Sequence, residues 1–343
     1  MRTFWDKQPV PQDGYTYESG REIEKEKVIT HEPVSLPEGF SWCKPPLEEA
    51  HKLLHDHYVC DETFRLSYSL ETLKWAASHE SRGIREDASG TLIGYISSVP
   101  TKVRVCQDVL PMVEINFLCV HPDYRDRGFA PVLISEIKRI ANTKNVWQAI
   151  YTAVTKIPGS VAKSSYWHRF LNVKRLAKIG FYQTNRLREK YFEIRGNSQF
   201  RKMTQRDVPK VTKVLKKYFE SFKVAPHIDK EWVKHWMLPI HSYVNDETDD
   251  FISFYEIPYD RVDGRDTVKQ VYSFYIVGDV YNDAFVLARN QGYDVFNTLD
   301  IGQSGEDLEK LKFLKGTGHV YYYLFNWLPS SPVGPEDIQL KLP

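Results

Sequence analysis

The sequence predicts a mixed α+β protein built from two tandem copies of one unit. Three observations lead there. The chain has 343 residues, too many for one compact core and about right for two at roughly 150 residues per domain. Hydrophobic residues make up 42% and charged residues 27%, the composition of an ordinary globule with enough apolar material for a sizeable core. One order of helical and β-patterned segments runs twice along the chain.

In chain order, residues 1–35 are polar and proline-punctuated (Gln8-Pro9-Val10-Pro11-Gln12), which predicts an extended arm with little structure of its own. Phe4-Trp5 near its tip fits a frayed terminus as well as an anchor seated in a groove. The first repeat unit begins at Trp42 and the second at Met203. Setting Leu47 on Val208 places Ala50 on Val211, Leu53 on Val214 and Leu54 on Leu215, one helical face at i, i+3, i+6 and i+7 in both copies. Each copy continues with a β-run ending in proline (Leu92–Pro100; Phe251–Pro258) and a second β-run (Met112–Val120; Val271–Val277). A helix follows (Pro131–Asn142; Ala284–Gln291), then a strand (Val146–Thr152; Val295–Leu299), then a closing helix–strand pair. The resulting division is an arm (1–35), an N-terminal half (36–197) and a C-terminal half (198–343).

Charge and cysteine usage exclude several function classes. Lys+Arg number 46 against 45 Asp+Glu, so bulk charge does not hold this protein on nucleic acid. Four scattered cysteines form no CxxC pair, which argues against a zinc knuckle or a disulfide framework. His51, His55 and His57 with Cys60 suggest a metal site only faintly; a solvated helix face explains them, and no metal is expected. The start of the chain lacks the apolar stretch of a signal peptide, and no run approaches the roughly 20 residues of a membrane span. The expectation is a reduced, soluble, cytoplasmic protein. Aromatic residues reach 14%, enough to line an apolar cleft as well as fill a core.

The window Met112–Ile134 carries the chemistry. A strand (Val113–Val120) enters a loop ending Arg125-x-x-Gly128-x-Ala130, and a helix starts at once with Pro131 in its first turn, where a missing N–H costs nothing. Unpaired N–H groups at such a helix start, with the helix dipole behind them, suit a pyrophosphate. Arg125 and Arg127 add positive charge. Taken alone, this short pattern fits a plain turn equally well. Glu114, Asn116 and Leu118 are expected on one strand face by alternation.

This strand–loop–helix resembles the acyl-CoA cradle of the GNAT superfamily, and two GNAT-like halves account for the duplication. The resemblance narrows to the eukaryotic N-myristoyltransferases through Phe4-Trp-Asp-Lys-Gln-Pro-Val-Pro11, Leu36–Trp42, Met112-Val-Glu-Ile-Asn-Phe-Leu-Cys-Val-His121, Ala130–Ile134, Gln148–Ala153 and Tyr166-Trp-His-Arg169. Asp294–Asn297, Leu311–Phe313 and Tyr322–Trp327 extend it in the same order. It implies a continuous curved sheet flanked by helices, with myristoyl-CoA as co-substrate, N-terminal-glycine peptides and nascent proteins as acceptors, ribosome association and a monomeric state.

The resemblance also implies roles. The backbone N–H groups of Phe117 and Leu118 form the oxyanion hole, and the carboxylate of the last residue, here Pro343, is the base that takes the proton of the glycine ammonium. Glu114 is the rival base. Thr3, Phe4, Trp5, Phe117, Leu118, Cys119, Val120, Arg125, Asp126, Gly128, Phe129 and Ala130 meet the acyl-CoA. Tyr58, Phe64, Tyr68, Asn116, Thr152, Tyr166 and His168 line the peptide side. The chain departs from the family pattern at Asp126, where a small hydroxyl residue is usual, at Leu66 in place of an aromatic, in the short acidic pair Asp61-Glu62, and in its terminal proline. Two other readings stand beside this one: a catalytically weak acyl-CoA or acyl-peptide binding module, and a GNAT enzyme with another acyl donor or amine.

Overall fold

In the computed structural model, residues 2–12, 16–77, 79–182 and 189–343 are described, with the main chain alone for Arg2 and Thr3. The arm contributes α1 (Arg2–Trp5). The N-terminal half follows as β1 (Phe40–Cys43), α2 (Leu47–His57), β2 (Phe64–Leu66), α3 (Leu70–Ala77), β3 (Glu80–Glu86), β4 (Leu92–Val105), β5 (Asp108–Val120), α4 (Phe129–Thr143), β6 (Gln148–Ala153), β7 (Ser160–Phe170) and α5 (Val173–Lys178). The C-terminal half runs β8 (Arg201–Lys202), α6 (Val208–Phe219), β9 (Val224–Pro226), α7 (Lys230–Met237), β10 (His241–Val244) and β11 (Phe251–Glu256). It is completed by β12 (Tyr259–Arg261), β13 (Thr267–Val268), β14 (Gln270–Val277), α8 (Tyr281–Asn290), β15 (Val295–Leu299), α9 (Gly305–Lys310) and β16 (Leu314–Phe325).

One mixed sheet runs through both halves in the order β1-β3-β4-β5-β6-β16-β7-β15-β14-β11-β10-β8, with β9 paired to β4. The aligned helical faces meet in one core: Ala50, Leu53 and Leu54 of α2 and Val211, Val214 and Leu215 of α6 belong to the same buried cluster. That cluster also takes in Phe117 of β5 and Phe274 of β14. On the opposite face α4 buries Leu133, Ile137 and Ile140 against Ile84, Ile93 and Ile96. The repeat in the sequence is thus a repeat in space, with both first helices filling one interior because neither could bury its apolar face alone.

The halves differ in their closing elements. The expected helix–strand pair is present in the second half as α9 and β16. In the first half a long strand, β7, follows β6 directly, and helix α5 comes after it. The two closing strands also exchange: β16 pairs antiparallel with both β6 and β7, so a strand of the second half lies inside the first. Residues 160–170 (Ser-Val-Ala-Lys-Ser-Ser-Tyr-Trp-His-Arg-Phe) mix polar and apolar side chains without a period of two, which hides β7 from a periodicity argument.

The arm is structured, against the expectation of a loose extended segment. Trp5 is buried and stacks on Tyr151 (5.9 Å between ring centroids), which stacks on Tyr323 (5.0 Å). The Asn326 backbone N–H donates to the Pro9 carbonyl (2.7 Å), and the Glu24 N–H donates to the Asn326 side-chain oxygen (2.7 Å). Further along, the Val34 N–H donates to the buried Glu136 carboxylate of α4 (3.0 Å). The arm's order comes from partners about 100 to 300 positions away, which local composition cannot announce. Removing the buried indole in Trp5→Ala should cost the docked arm about 3–5 kcal/mol. The expected outcome is cleavage within residues 2–12 at protease concentrations that leave the unmodified chain uncut, read by mass spectrometry.

Candidate active site

The site is built on a break in β5. Against β4 the register runs Ser97 opposite Asn116 and then Tyr95 opposite Cys119, so Phe117 and Leu118 together face one residue. Phe117 takes up the extra length with φ 56°, a left-handed conformation that a bulky residue adopts only where its surroundings impose it. Burial of its ring among Tyr58, Tyr68 and the α2 helix supplies that constraint. The bulge resets the alternation. Asn116 and Phe117 both turn to the α2 side, and Leu118 packs with Ile115 and Val120 against α4. Leu118 therefore does not share a face with Glu114 and Asn116, contrary to strict alternation.

On its other edge β5 pairs with β6 in parallel for only three positions, from Met112–Gln148 to Glu114–Ile150. Beyond Glu114 the two strands diverge and the main chain of Ile115–Val120 has no ladder partner on that side. At the bulge the Phe117 N–H is directed at the Tyr58 hydroxyl. A main-chain amide turned aside in this way can donate to a developing negative charge.

Glu114 lies behind them, buried, with the Asn116 amide donating to its carboxylate (2.7 Å). Burial pushes the Glu114 carboxyl up to about 7, against the lowering effect of that hydrogen bond. Thr152 of β6 sits opposite Tyr322 of β16. The Tyr322 hydroxyl donates to the Leu340 carbonyl (3.1 Å), and the Lys341 N–H donates to the Tyr275 hydroxyl (3.5 Å). Burial above all pushes both phenols up, and each also feels the charge of Glu114. The segment approaching the chain end is consequently held within electrostatic reach of Glu114. Ile338, Gln339, Leu340 and Lys341 are all buried, Gln339 donates its N–H to the Val224 carbonyl (2.8 Å), and Leu342 and Pro343 are partly exposed.

Across the cleft stand Tyr58, Tyr68, Tyr166, Tyr255 and Tyr272. Tyr166 and Tyr272 meet edge to face at 6.2 Å. Burial raises every one of these hydroxyls, Tyr166 to about 12. Tyr58, Tyr166 and Tyr272 nevertheless keep some accessible surface. His168 stands opposite Asn297 in the β7–β15 register and shares a 2.7 Å hydrogen bond with its side-chain oxygen. Burial lowers His168, which keeps the ring neutral and suits it to hydrogen bonding. Phe64 lies apart from this group, stacked on Tyr259 at 4.9 Å in a satellite cluster with Phe170 and Val295.

At the loop before α4, Gly128 has φ 86° and forms the helix N-cap; a Cβ there would meet no protein atom within 4 Å, so the space above it is open. Phe129 is core, packed on Phe40 at 4.8 Å, and Cys119 and Val120 are buried, so an approaching group meets main chain at these positions. Arg125 is committed to the fold: its guanidinium donates to the carbonyls of Val120 (3.0 Å) and His57 (2.9 Å). Arg127 lies over the Tyr124 ring at 5.1 Å. Asp126, at φ 61°, has no ion-pair partner among the described residues, so neither arginine neutralises it. Ala130 is partly exposed, Phe4 packs edge-on against Trp5 at 5.3 Å, and the Thr3 side chain lies outside the described residues.

His51 and His55 are engaged locally, His51 with the Tyr68 carbonyl (2.9 Å) and His55 with the Ser67 hydroxyl (3.3 Å). Among the described residues no three His, Cys, Asp or Glu side chains gather as a metal set. Sequence reasoning missed Tyr275, Tyr322 and Lys341. Tyr275 was signalled only by a tyrosine-rich composition, Tyr322 only as part of the Tyr322–Trp327 run, and Lys341 by nothing in the residues around it.

A Glu114 carboxyl pushed up to about 7 in the fold, above its ordinary 4.5, means a contribution to stability that is complete below about 4.5 and lost as pH rises through 7. Glu114→Gln, which still accepts from Asn116, should remove that dependence and make the protein about 3 kcal/mol less penalised above pH 7, at 1.36 kcal/mol per pKa unit. Urea denaturation of both proteins at pH 4.5, 6 and 8 measures it.

The sequence matches the family model described as myristoyl-CoA:protein N-myristoyltransferase, N-terminal domain, over residues 21–164, and its C-terminal counterpart over residues 181–337. It is 38% identical to glycylpeptide N-tetradecanoyltransferase 2 of Danio rerio, covering 99% of this chain and 77% of that protein. It is 35% identical to glycylpeptide N-tetradecanoyltransferase 1 of Arabidopsis thaliana, covering 99% and 88%. A Saccharomyces cerevisiae N-myristoyltransferase crystallised with bound myristoyl-CoA superposes with a TM-score of 0.91 at 28% identity, covering 98% of this chain and 91% of that one.

Proposed function

This chain belongs to the myristoyl-CoA:protein N-myristoyltransferase family, and from that premise we propose how its cleft works: it transfers the tetradecanoyl group of myristoyl-CoA to the α-amino group of an N-terminal glycine. The N-terminal half (36–197) takes the acyl-CoA under the docked arm, and the C-terminal half (198–343) takes the peptide.

In this reading the thioester carbonyl lies at the Phe117 bulge, where the released N–H groups of Phe117 and Leu118 hold the oxyanion. The glycine amine arrives as an ammonium with an unperturbed pKa near 8. The main-chain carboxylate of Pro343 takes one of its protons, and Asn116 and Thr152 orient the amine. Attack gives a tetrahedral adduct whose collapse breaks the C–S bond while the second excess proton on nitrogen passes to the departing sulfur, so that CoA leaves as the thiol and the neutral amide remains. The observation that carries this mechanism is the burial of residues 338–341 and the hydrogen bonds that Leu340 and Lys341 share with Tyr322 and Tyr275, two phenols that feel the charge of Glu114. Myristoyl-CoA is a co-substrate, and the scheme uses no metal.

Burying the acyl chain is worth on the order of 10 kcal/mol before costs, at about 0.8 kcal/mol per methylene. One methylene more or less then shifts preference by only about 1–3 kcal/mol, so selection for fourteen carbons rests on a closed end to the tunnel. Glu114 serves as a buried support that fixes the Asn116 amide. The protein acts as a monomer in the cytoplasm on nascent chains near the ribosome; among the described residues no helix is long and apolar enough to cross a membrane.

Incubation with myristoyl-CoA should acylate a peptide beginning with glycine and leave one beginning with alanine unmodified, by mass spectrometry. Acyl-CoA binding without turnover would mark a binding module, and turnover with another donor or amine alone would mark a different acyltransferase. Deleting Leu342-Pro343 should reduce kcat by at least about 100-fold while sparing acyl-CoA affinity. Unimpaired kcat in that variant would remove the chain end from the mechanism.

A further inference from the structure

The duplication repeats the strand divergence as well as the helices. β14 and β15, joined by α8, pair in parallel for only three positions, Gln270–Val295 to Tyr272–Asn297, and then separate, as β5 and β6 do. β14 also carries a register irregularity against β11, between Phe254–Ser273 and Ile252–Ile276, so that Ser273-Phe274 occupies the place of Asn116-Phe117. A cavity of about 180 Å³ opens at this second divergence, lined by Tyr218, Tyr281, Gln303, Gln339 and Lys341.

The chemistry of the lining is specific. Lys341 is buried, and its ammonium donates to the Ser273 carbonyl (3.2 Å) and hydroxyl (3.0 Å). No ion pair is formed by Lys341 among the described residues, and burial is the single cause that lowers it, to about 7. The groups facing it are the phenols of Tyr218 from α6, Tyr275 from β14 and Tyr281 from α8. The carboxylate of Asp250 lies at the rim against Gly278 and accepts from Thr248; it does not reach the ammonium. Gln339 is 4% exposed, and its side-chain oxygen is buried with no partner while its amide nitrogen donates to the Tyr218 hydroxyl (2.5 Å). Turning that amide over lets Tyr218 donate to the oxygen and aims two N–H donors inward. Tyr281 donates to Gln303 (2.8 Å) and can turn its hydroxyl to a new acceptor.

We propose that this second divergence is a binding site for a small carboxylate, with Lys341 as the cationic anchor and Tyr218, Tyr281 and Gln339 as donors. A buried cation with hydrogen-bond donors around it and no counter-charge is a half-finished ion pair, and a carboxylate completes it. The volume admits a group of acetate size with a few waters, at roughly 30 Å³ per water. Two sources share this chemistry: a free small carboxylate, or the side chain of a glutamate or aspartate in the acceptor peptide.

Thermal unfolding of the full chain in sodium acetate against sodium chloride of equal ionic strength tests the site without any reference to catalysis. Acetate should raise Tm by a few degrees at pH 6, and its apparent affinity should fall about tenfold per pH unit above 7, as the anchor loses its proton. Lys341→Met should abolish the acetate-specific rise, and Tyr281→Phe should weaken acetate several-fold while leaving the cation in place. An identical acetate response in the unmodified protein and Lys341→Met, or no difference between acetate and chloride, overturns the proposal and leaves a water-filled cavity. With the acetate response in hand, competition by a Gly-starting peptide carrying Glu, absent for its Gln counterpart, assigns the site to the peptide side chain. Lack of competition assigns it to a free carboxylate. Failure of the acyl-transfer assay leaves the acetate result intact, so the two readings fail separately.

Discussion

Parallel strands joined by a short crossover helix share one constraint here: each pair stays in register for three positions and then separates. A strand edge left without a ladder must find other partners for its N–H and C=O groups, because burying them unpaired costs about 1–3 kcal/mol each. At β5 and β6 the opening leaves residues 115–120 without a ladder partner on that side, and the bulge at Phe117 falls within it. At β14 and β15 the polypeptide itself enters, with residues 338–341 and the Lys341 ammonium on Ser273. The same geometric fault is thus the proposed reaction site in one half and a cavity bordered by the chain's own tail in the other.

Much of this was legible in the chain, and for physical reasons. The matched faces of α2 and α6 could be read because helix burial imposes a period that sequence preserves. The start of α4 could be read because a proline in a first turn, ahead of inward-facing Leu133, Ile137 and Ile140, marks a helix entry. The bulge could not. Asn116-Phe117-Leu118 contains no glycine, and its extra residue exists only relative to the count on β4, so strict alternation assigned Leu118 to the wrong face. Docking of the arm was hidden for a related reason, since its partners Tyr151, Glu136 and Asn326 lie far along the chain. Arg125 looked like a phosphate ligand by charge and spacing, whereas the carbonyls of Val120 and His57 already engage it.

Among the described residues Glu114 and Lys341 are buried ionisable groups of opposite sign without ion-pair partners, both brought to about 7 by burial. They lie on either side of Tyr275, which feels the charge of Glu114 and accepts from the Lys341 main chain. Each is tolerated because hydrogen bonds from or to neighbours replace part of the lost hydration. Their placement makes the segment leading to the chain end sensitive to the protonation of its surroundings, a property that a purely apolar plug would lack.

The exchange of β16 into the space between β6 and β7 has a bearing on biogenesis. As the ribosome extends the polypeptide, the first half emerges with β6 and β7 both complete and a gap between them that awaits a strand encoded about 150 positions downstream. Until that strand arrives, two facing edges stay open, each able to recruit a foreign strand. The earlier half cannot mature as an autonomous unit, and the two halves, though alike in plan, are committed to fold as one interlocked body.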